Sequence, residues 1–229
     1  MSFYLWAAAA AAAFAALTAW LLLPLARWIL ERINQHWQAE AQLHVLHELG
    51  ELERPRLPGY PRTWVIALGA LLCWLVLTVY GWNLQGAAAC LYFFALLLLL
   101  TINVRDVLLP DMVVLPTLWG ALLFHAAHGQ ASEHPYSTAV ASAVPFALSR
   151  LLQRFTGSEL MGNGDIKTFA MAGAWFGLAA LPTLFAVFVL CITVHGAFVQ
   201  WKKRTSRLLP SGPAHMLASL ACMLYSQMR

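Results

Sequence analysis

The chain has 229 residues, of which 61% are hydrophobic and only 10% are charged. Soluble domains carry about 25% charged residues, and a soluble globule cannot hide this much apolar surface without exposing aggregation-prone patches. The composition therefore excludes a soluble enzyme, a disordered protein and a nucleic-acid-binding domain. It predicts an all-α polytopic membrane protein whose main partner is the lipid bilayer.

The apolar segments, taken in chain order, predict about eight transmembrane helices, since a spanning helix needs about 20 mostly apolar residues. Residues 1–25 are predicted to hold the first helix, which is retained rather than cleaved as a signal peptide because no basic region precedes it. Residues 26–63 are predicted to form a cytoplasmic amphipathic segment. Within it, residues 31–53 favour a helix that is either lateral to the membrane surface or part of a solvated connector.

Residues 64–229 are predicted to form a seven-helix membrane core. The fifth and sixth spans of the chain, which are the fourth and fifth helices of this core, are expected to be short or interrupted, at Pro145 and Gly173. No internal repeat is visible. The predicted spans of this core are 64–81, 86–104, 112–128, 136–152, 166–181, 182–201 and 210–227.

The distribution of Lys and Arg orients these spans. Thirteen of the 14 basic residues lie in alternate connections between spans, and only Arg229 does not. Short cytoplasmic loops of membrane proteins are enriched in Lys and Arg. Both termini are therefore expected outside, and the charged loops are expected in the cytoplasm.

The chain contains three aspartates, Asp106, Asp111 and Asp165, and all lie at predicted cytoplasmic helix ends. Ionisable residues near bilayer helices are energetically costly, so each is a candidate functional residue. Asp165 is also expected to cap the helix that it opens, and Asp111 to cap the helix after the turn between spans three and four. Capping and catalytic roles are compatible.

Two motifs surround these aspartates. Asp165 closes the element Gly162-Asn163-Gly164-Asp165 and is followed by Ile166-Lys167, and its glycines allow close approach of another helix. Asp111 closes Leu109-Pro110-Asp111 and is followed by Pro116-Thr117-Leu118-Trp119. Together with the span pattern, these motifs resemble those of the type IV prepilin peptidases, which are membrane aspartic proteases of the G-x-G-D class. Two further elements match that family: Gly173-Ala174-Trp175, and Leu209-Pro210-Ser211-Gly212-Pro213 with Ser211 in place of a phenylalanine.

The resemblance covers about residues 90–225 and implies a function. It implies an endopeptidase that cleaves the leader peptide of type IV pilin or pseudopilin precursors, for a type IV pilus or a type II secretion system. The active site would face the cytoplasm at the boundary of the bacterial inner membrane, and no metal or other cofactor is implied. Asp165 would be catalytic, and the supporting or alternative residues would be Asp106, Asp111, Gly162, Gly164 and Lys167.

The chain departs from the family pattern in its cytoplasmic segment. Typical bacterial members carry there an insertion with two C-x-x-C pairs, which is associated with N-methylation of the trimmed pilin. No cysteine falls between residues 26 and 63, so a zinc site in this segment is excluded. The chain resembles the short members that lack the zinc-binding domain.

The second departure concerns the active site. The first catalytic aspartate of the family lies eight residues before the aspartate of L-P-D, and this chain has Asn103 at that position. An aspartic protease needs two carboxyl groups that share one proton, and an asparagine cannot carry that proton. Three explanations are compatible with this residue: an inactivating Asp-to-Asn substitution, a non-catalytic membrane assembly factor that keeps the peptidase fold, or replacement of the missing group by Asp106.

The resemblance also implies a geometry. Spans three and six should bring Asn103 and Asp165 face to face, with Cα atoms about 6–10 Å apart, because carboxyl groups that share a proton have oxygens about 3 Å apart. Asp111 should lie further into the aqueous loop, since Pro110 interrupts the helix. A position of Asp106 closer to Asp165 would instead make Asp106 the first catalytic residue.

Overall fold

The computed structural model describes residues 16–43, 62–157, 161–201 and 209–226, together with residue 9 and residues 12–14. Within these ranges the chain is helical and has no β-strand, which confirms the all-α class. A π-helical stretch, Thr18–Leu22, continues directly into α1, and a 3₁₀ turn, Leu178–Ala180, precedes α7. The helices are α1 (Leu23–Leu43), α2 (Arg62–Tyr80), α3 (Leu84–Asp106), α4 (Asp111–Ala127), α5 (Glu133–Thr156), α6 (Asn163–Phe176), α7 (Leu181–Trp201) and α8 (Gly212–Ser226).

Three of the described helical stretches are long and apolar enough to cross a membrane, namely Thr63–Tyr80, Leu84–Asp106 and Leu178–Val199. They confirm a helical membrane protein. Helices α6 and α8 have only 14 and 15 residues, fewer than the roughly 20 of a full crossing. The count of about eight spans therefore stays a prediction.

The first helix extends further than the sequence pattern indicated. Helical residues run without a break from Thr18 to Leu43, across the expected boundary between the first span and the surface segment at residues 25 and 26. Good helix formers on both sides of that boundary explain the continuity, because nothing in this stretch breaks the helix after Pro24. Residues 44–61, where the surface helix was expected to continue and end, lie outside the described residues.

Two expected interruptions are absent from the described helices. Helix α5 passes through Pro145, and α6 passes through Gly173 and ends at Phe176. Helix α6 stops there because the next residue, Gly177, has a φ of +76°, a value that residues with a side chain rarely adopt. Gly173 therefore has another role, which is close packing between helices.

Helix α6 lies at the centre of the described helices. Residues 168–175 are all buried, and a helix that is buried on every side belongs to the interior of a bundle. One side of α6 contributes Met171 and Trp175 to a core shared with α1 to α4 and α8. The opposite side contributes Phe169 and Ala172 to a core shared with α5, α7 and α8. Asp165, in the first turn of α6, is thereby held on the most enclosed element of the fold.

The contact between α5 and α6 depends on Gly173. A Cβ atom at this position would lie 2.6 Å from the Cβ of Ala141 and 2.8 Å from the carbonyl oxygen of Ser137. The Ser137 hydroxyl also donates a hydrogen bond of 2.6 Å to the Gly173 carbonyl oxygen. Both neighbours belong to the α5 helix, so α5 and α6 can pack this closely only while residue 173 has no side chain.

We therefore expect Gly173→Ala to destabilise the protein by about 1–3 kcal/mol, the usual cost of overpacking a core. Gly120→Ala is the matched control, because Gly120 lies within α4 and a Cβ there would meet nothing within 4 Å. The control should be neutral or more stable by up to about 1 kcal/mol, since alanine favours the helix over glycine. Thermal unfolding in detergent measures both; equal melting temperatures for the two variants would contradict the packing argument.

Candidate active site

Asp165 lies in the first turn of α6, next to the glycine-rich element at the start of this helix. The helix begins at Asn163 and Gly162 is its N-terminal cap residue, so Asp165 is the third helical residue and not the cap itself. Its Oδ2 accepts a hydrogen bond of 3.3 Å from the backbone N–H of Gly162. The cap of α6 therefore lies three residues before the aspartate that was expected to form it, because the helix starts earlier than the sequence pattern predicts.

Of the two glycines in this element, Gly164 makes the close approach. A Cβ atom on Gly164 would lie 3.0 Å from the Cβ of Leu109, in the linker between α3 and α4. A Cβ on Gly162 would meet only the Asp165 carboxylate, at 3.7 Å, an ordinary contact. Gly164 therefore lets the first turn of α6 pack against the linker that follows Asn103.

The carboxylate of Asp165 is paired with a histidine from the last helix. The Nε2 atom of His215 lies 3.1 Å from Oδ1 of Asp165, and the two side chains are 3% and 17% exposed. Burial alone would raise the pKa of Asp165, but hydrogen bonds from His215, Ser211 and the Gly162 amide, with the charge of His215 when it is protonated, bring that pKa below its ordinary value. Asp165 is therefore ionised over the physiological pH range.

Asn103 lies in the last turn of α3 and is 1% exposed. Its Oδ1 accepts a hydrogen bond of 2.6 Å from the backbone N–H of Gly212, and its Nδ2 donates one of 3.4 Å to the carbonyl oxygen of Leu108. Helix α3 ends soon after it, because Val107 has a φ of +54° and its amide bonds back to the carbonyl oxygen of Asn103. The side-chain amide is thus held from two sides.

The first turn of α8 connects the two predicted positions. Gly212 contacts Asn103, and His215, three residues later, contacts Asp165. A Cβ atom on Gly212 would lie 3.1 Å from Oδ1 and from Cβ of Asn103. Asn103 and Asp165 therefore meet opposite ends of one helical turn, while their predicted Cα separation stays a prediction.

The other candidate residues form ion pairs at the ends of α3 and α4. Asp111 opens α4 and pairs with Lys167 at 2.5 Å, and both side chains are roughly half exposed. The N-terminal cap of α4 is Pro110, so Asp111 is the first helical residue and not the expected cap. Asp106 ends α3, with Oδ2 3.9 Å from Nε of Arg105.

A cavity of about 340 Å³ lies beside the linker that separates Asn103 from Asp111. Residues 108–112 form one wall, and Arg32 and Ile33 of α1 form the other. Within the described part of the chain, no group of three His, Cys, Asp or Glu side chains could hold a metal ion. The site therefore consists of carboxylate, amide and imidazole groups next to an open groove.

Sequence reasoning missed two members of this site, His215 and Ser211. His215 is separated from Asp165 by 50 positions, and such a contact leaves no local pattern. One signal was available: His215 lies two residues after Pro213, in the first turn of the helix that follows the Leu-Pro-Ser-Gly-Pro element. A histidine at the predicted cytoplasmic end of a span is a functional candidate for the same reason as an aspartate.

A family model described as the type IV leader peptidase family matches residues 90–199. This matched part of the chain belongs to the family. The matched region contains Asn103 and Asp165, whereas His215 lies beyond it.

Curated relatives in this family carry the name prepilin leader peptidase/N-methyltransferase. The protein of Dickeya chrysanthemi is 38% identical over 128 residues, which cover 54% of this chain and 43% of the relative. That of Pectobacterium carotovorum subsp. carotovorum is 38% identical over 165 residues, or 67% of this chain and 56% of the relative. The Stutzerimonas stutzeri protein is 28% identical over 211 residues, or 90% and 68%.

The chain spans about half the length of the first two of these relatives. No solved structure matches it.

The hydrogen bonds of Asp165 should make the free energy of unfolding depend on pH. A carboxyl group with a lowered pKa stabilises the fold above the unfolded value of about 3.9 and loses this contribution as the pH falls through the folded pKa. We expect Asp165→Asn to cost about 1.5–3 kcal/mol, as for a lost hydrogen bond to a charged group. The cost should be present between about pH 5 and 8 and shrink below about pH 4.

Thermal unfolding of the detergent-solubilised protein over this pH range measures the cost. Asp111→Asn is the matched control, since its half-exposed ion pair with Lys167 should contribute less than about 1 kcal/mol. A larger loss for Asp111→Asn than for Asp165→Asn would contradict the assignment of Asp165 as the anchored carboxylate.

Proposed function

We propose that this chain has the architecture of a membrane aspartic endopeptidase that cleaves the leader peptide of type IV pilin-like precursors, with Asn103 at the position of the first catalytic aspartate. The observation that carries the proposal is the shared attachment of Asn103 and Asp165 to the first turn of α8. Family membership supports it, because the named relatives are prepilin leader peptidases. The active site would face the cytoplasm at the boundary of the bacterial inner membrane.

In this proposal Asp165 is the general base. Its carboxylate is ionised and keeps a lone pair for a water molecule, because its described partners are donors: His215, Ser211 and the Gly162 amide. Water attacks the scissile carbonyl carbon while Asp165 removes the proton from that water. The same proton then passes to the leaving amine as the C–N bond breaks, which regenerates the carboxylate.

Position 103 would be the general acid, and its surroundings suit a protonated carboxyl group. Oδ1 of Asn103 accepts from the Gly212 amide, and Nδ2 faces the carbonyl oxygen of Leu108. An aspartate in the same orientation would place one oxygen towards the amide and the other towards that carbonyl. Only a protonated oxygen can donate to a carbonyl, so this pocket favours the acid form. That acid would protonate the substrate carbonyl oxygen as water attacks, and would take a proton back from the hydroxyl of the tetrahedral intermediate when the C–N bond breaks.

Asn103 itself keeps the shape of this group but has no proton to transfer. Loss of a general acid typically lowers the rate by a factor of about 10²–10⁴. The chain with Asn103 is therefore expected to bind a precursor and to cleave it slowly or not at all. The groove between α1 and residues 108–112 is lined by Leu108, whose carbonyl oxygen accepts from Asn103, and this groove is our proposed entry for the extended segment around the scissile bond.

A second candidate function follows from the same residue. A membrane assembly factor that keeps the peptidase fold and the precursor-binding groove needs no catalytic proton, and Asn103 satisfies the hydrogen bonds of its pocket without one. In this candidate the chain would bind a pilin-like precursor without trimming it. Asp106 is a weaker alternative acid, since its described ion pair is with the adjacent Arg105.

Co-expression with a pilin-like precursor separates these functions. Asn103→Asp should trim the precursor at least about 10²-fold faster than the unaltered chain, because it restores a proton to the dyad. Asn103→Asp combined with Asp165→Asn should return the rate to background. Asp106→Asn is the matched control. It should change neither the trimming rate of the unaltered chain nor that of Asn103→Asp.

Cleavage is measured by mass spectrometry of the precursor, which also identifies the bond. An Asn103→Asp chain that folds but does not trim the precursor would contradict the peptidase proposal and favour the assembly factor. Loss of trimming in Asp106→Asn alone would transfer the acid role to Asp106.

A further inference from the structure

His215 is the only polar side chain described on α8 that reaches into the candidate active site. Its Nε2 atom is 3.1 Å from Oδ1 of Asp165 and its side chain is 3% exposed. The ring is packed against two aromatic side chains, with centroid distances of 4.9 Å to Phe169 and 4.6 Å to Phe188. These apolar walls hold the imidazole in place and direct one ring nitrogen to the carboxylate.

The polar and charged residues near the His215–Asp165 pair make their described contacts with other groups. Helix α7 packs the Phe188 ring against the imidazole. From α3, the Asn103 side chain accepts a hydrogen bond from the Gly212 amide of α8 and makes no described hydrogen bond to the imidazole. Among the described residues, Arg32 lines the groove beside residues 108–112, Nη1 of Arg150 donates to Oε1 of Gln153, and four further charged side chains form two ion pairs of their own. These are Arg105 with Asp106 at 3.9 Å and Lys167 with Asp111 at 2.5 Å.

A buried carboxylate without a charged or donating partner is strongly unfavourable and takes up a proton instead. In a dyad of two carboxyl groups, the shared proton could reside on either member. A histidine bonded to only one of them removes this equivalence, because an imidazole that donates to Asp165 favours the anion there and leaves the proton to position 103.

We propose that His215 is a positioning residue that keeps Asp165 ionised and oriented, so that Asp165 is the base and position 103 is the acid. This inference rests on the proposed function for its consequence in catalysis. The charge state of Asp165, however, is a property of the chain with Asn103 and can be measured without any cleavage. Its failure and the failure of the peptidase proposal are therefore distinguishable.

The direct test is a carboxyl titration by NMR. The chain contains only three aspartates, so labelling with aspartate that carries ¹³C at the carboxyl carbon gives three side-chain resonances in a detergent micelle, and Asp165→Asn identifies one of them. His215→Gln keeps a hydrogen-bond donor but loses the ionisable ring. It should move the titration midpoint of Asp165 upward by about one pH unit or more, because burial then acts with weaker compensation.

His134→Gln is the matched control, since His134 is also buried and bonded, through Nδ1 to the carbonyl oxygen of Ala174 at 2.9 Å. It should leave the Asp165 midpoint unchanged. His215→Asn is a smaller second variant in case glutamine does not fit. An unchanged midpoint in a folded His215 variant would overturn the proposal. So would failure of both His215 variants to fold while His134→Gln folds, because the histidine would then have a structural role only.

The second test uses cleavage in the Asn103→Asp background. The acidic limb of the pH profile of kcat/KM reports the ionisation of the base in the free enzyme. His215→Gln should shift this limb to higher pH by about one unit, which means a loss of about tenfold in rate below it, with KM little changed. A rate that falls equally at every pH would overturn the positioning role. Absence of cleavage in Asn103→Asp itself would count against the peptidase proposal alone, and the titration would still decide on His215.

Discussion

The site depends on one constraint, the docking of the first turn of α8 against the ends of α3 and α6. The Gly212 amide donates to the side chain of Asn103, and His215 bonds to Asp165. A glycine at position 212 favours this docking, because a Cβ there would lie 3.2 Å from Cα of Leu100 and 3.1 Å from Asn103, and these neighbours would have to shift by a few tenths of an ångström. A tight turn thus connects residues that lie far apart in the sequence.

The position of α6 explains how a carboxylate can remain at this depth. Residues 168–175 are buried on all sides, so the first turn of α6 cannot move without disturbing both apolar cores. Asp165 gains an amide donor from Gly162 within its own turn and an imidazole from α8. A helix N-terminus also favours a negative charge. The desolvation cost is thereby offset by local groups, and the chain keeps an ionised acid in an otherwise apolar bundle.

Local sequence patterns predicted the parts of the site that depend on local structure. The three aspartates, the break at Pro110 and the glycine-rich start of α6 were visible because turns, caps and close approaches have short-range signatures. The role of Gly173 was misread as an interruption, because a glycine in a helix looks the same whether it ends the helix or accepts a neighbour. The His215 contact had no signature, since only the tertiary arrangement joins positions 165 and 215.

The two hydrogen bonds of Asn103 explain why an amide side chain fits at this position. An asparagine satisfies both of its described partners, one a donor and one an acceptor, as a protonated aspartate would in our proposal. The same residue removes the mobile proton that aspartic protease chemistry requires. Fold and chemistry are thus separable at this single position.

The most direct measurement of the central claim is the proximity of positions 103 and 165. With the four native cysteines, Cys73, Cys90, Cys191 and Cys222, replaced by alanine, a cysteine pair at 103 and 165 should be joined by a short bifunctional thiol reagent, because Cα atoms about 6–10 Å apart are expected for a dyad. A pair at 103 and 134 serves as the control and should not react. Crosslinking of the control pair together with none at 103 and 165, in folded protein, would contradict a shared site.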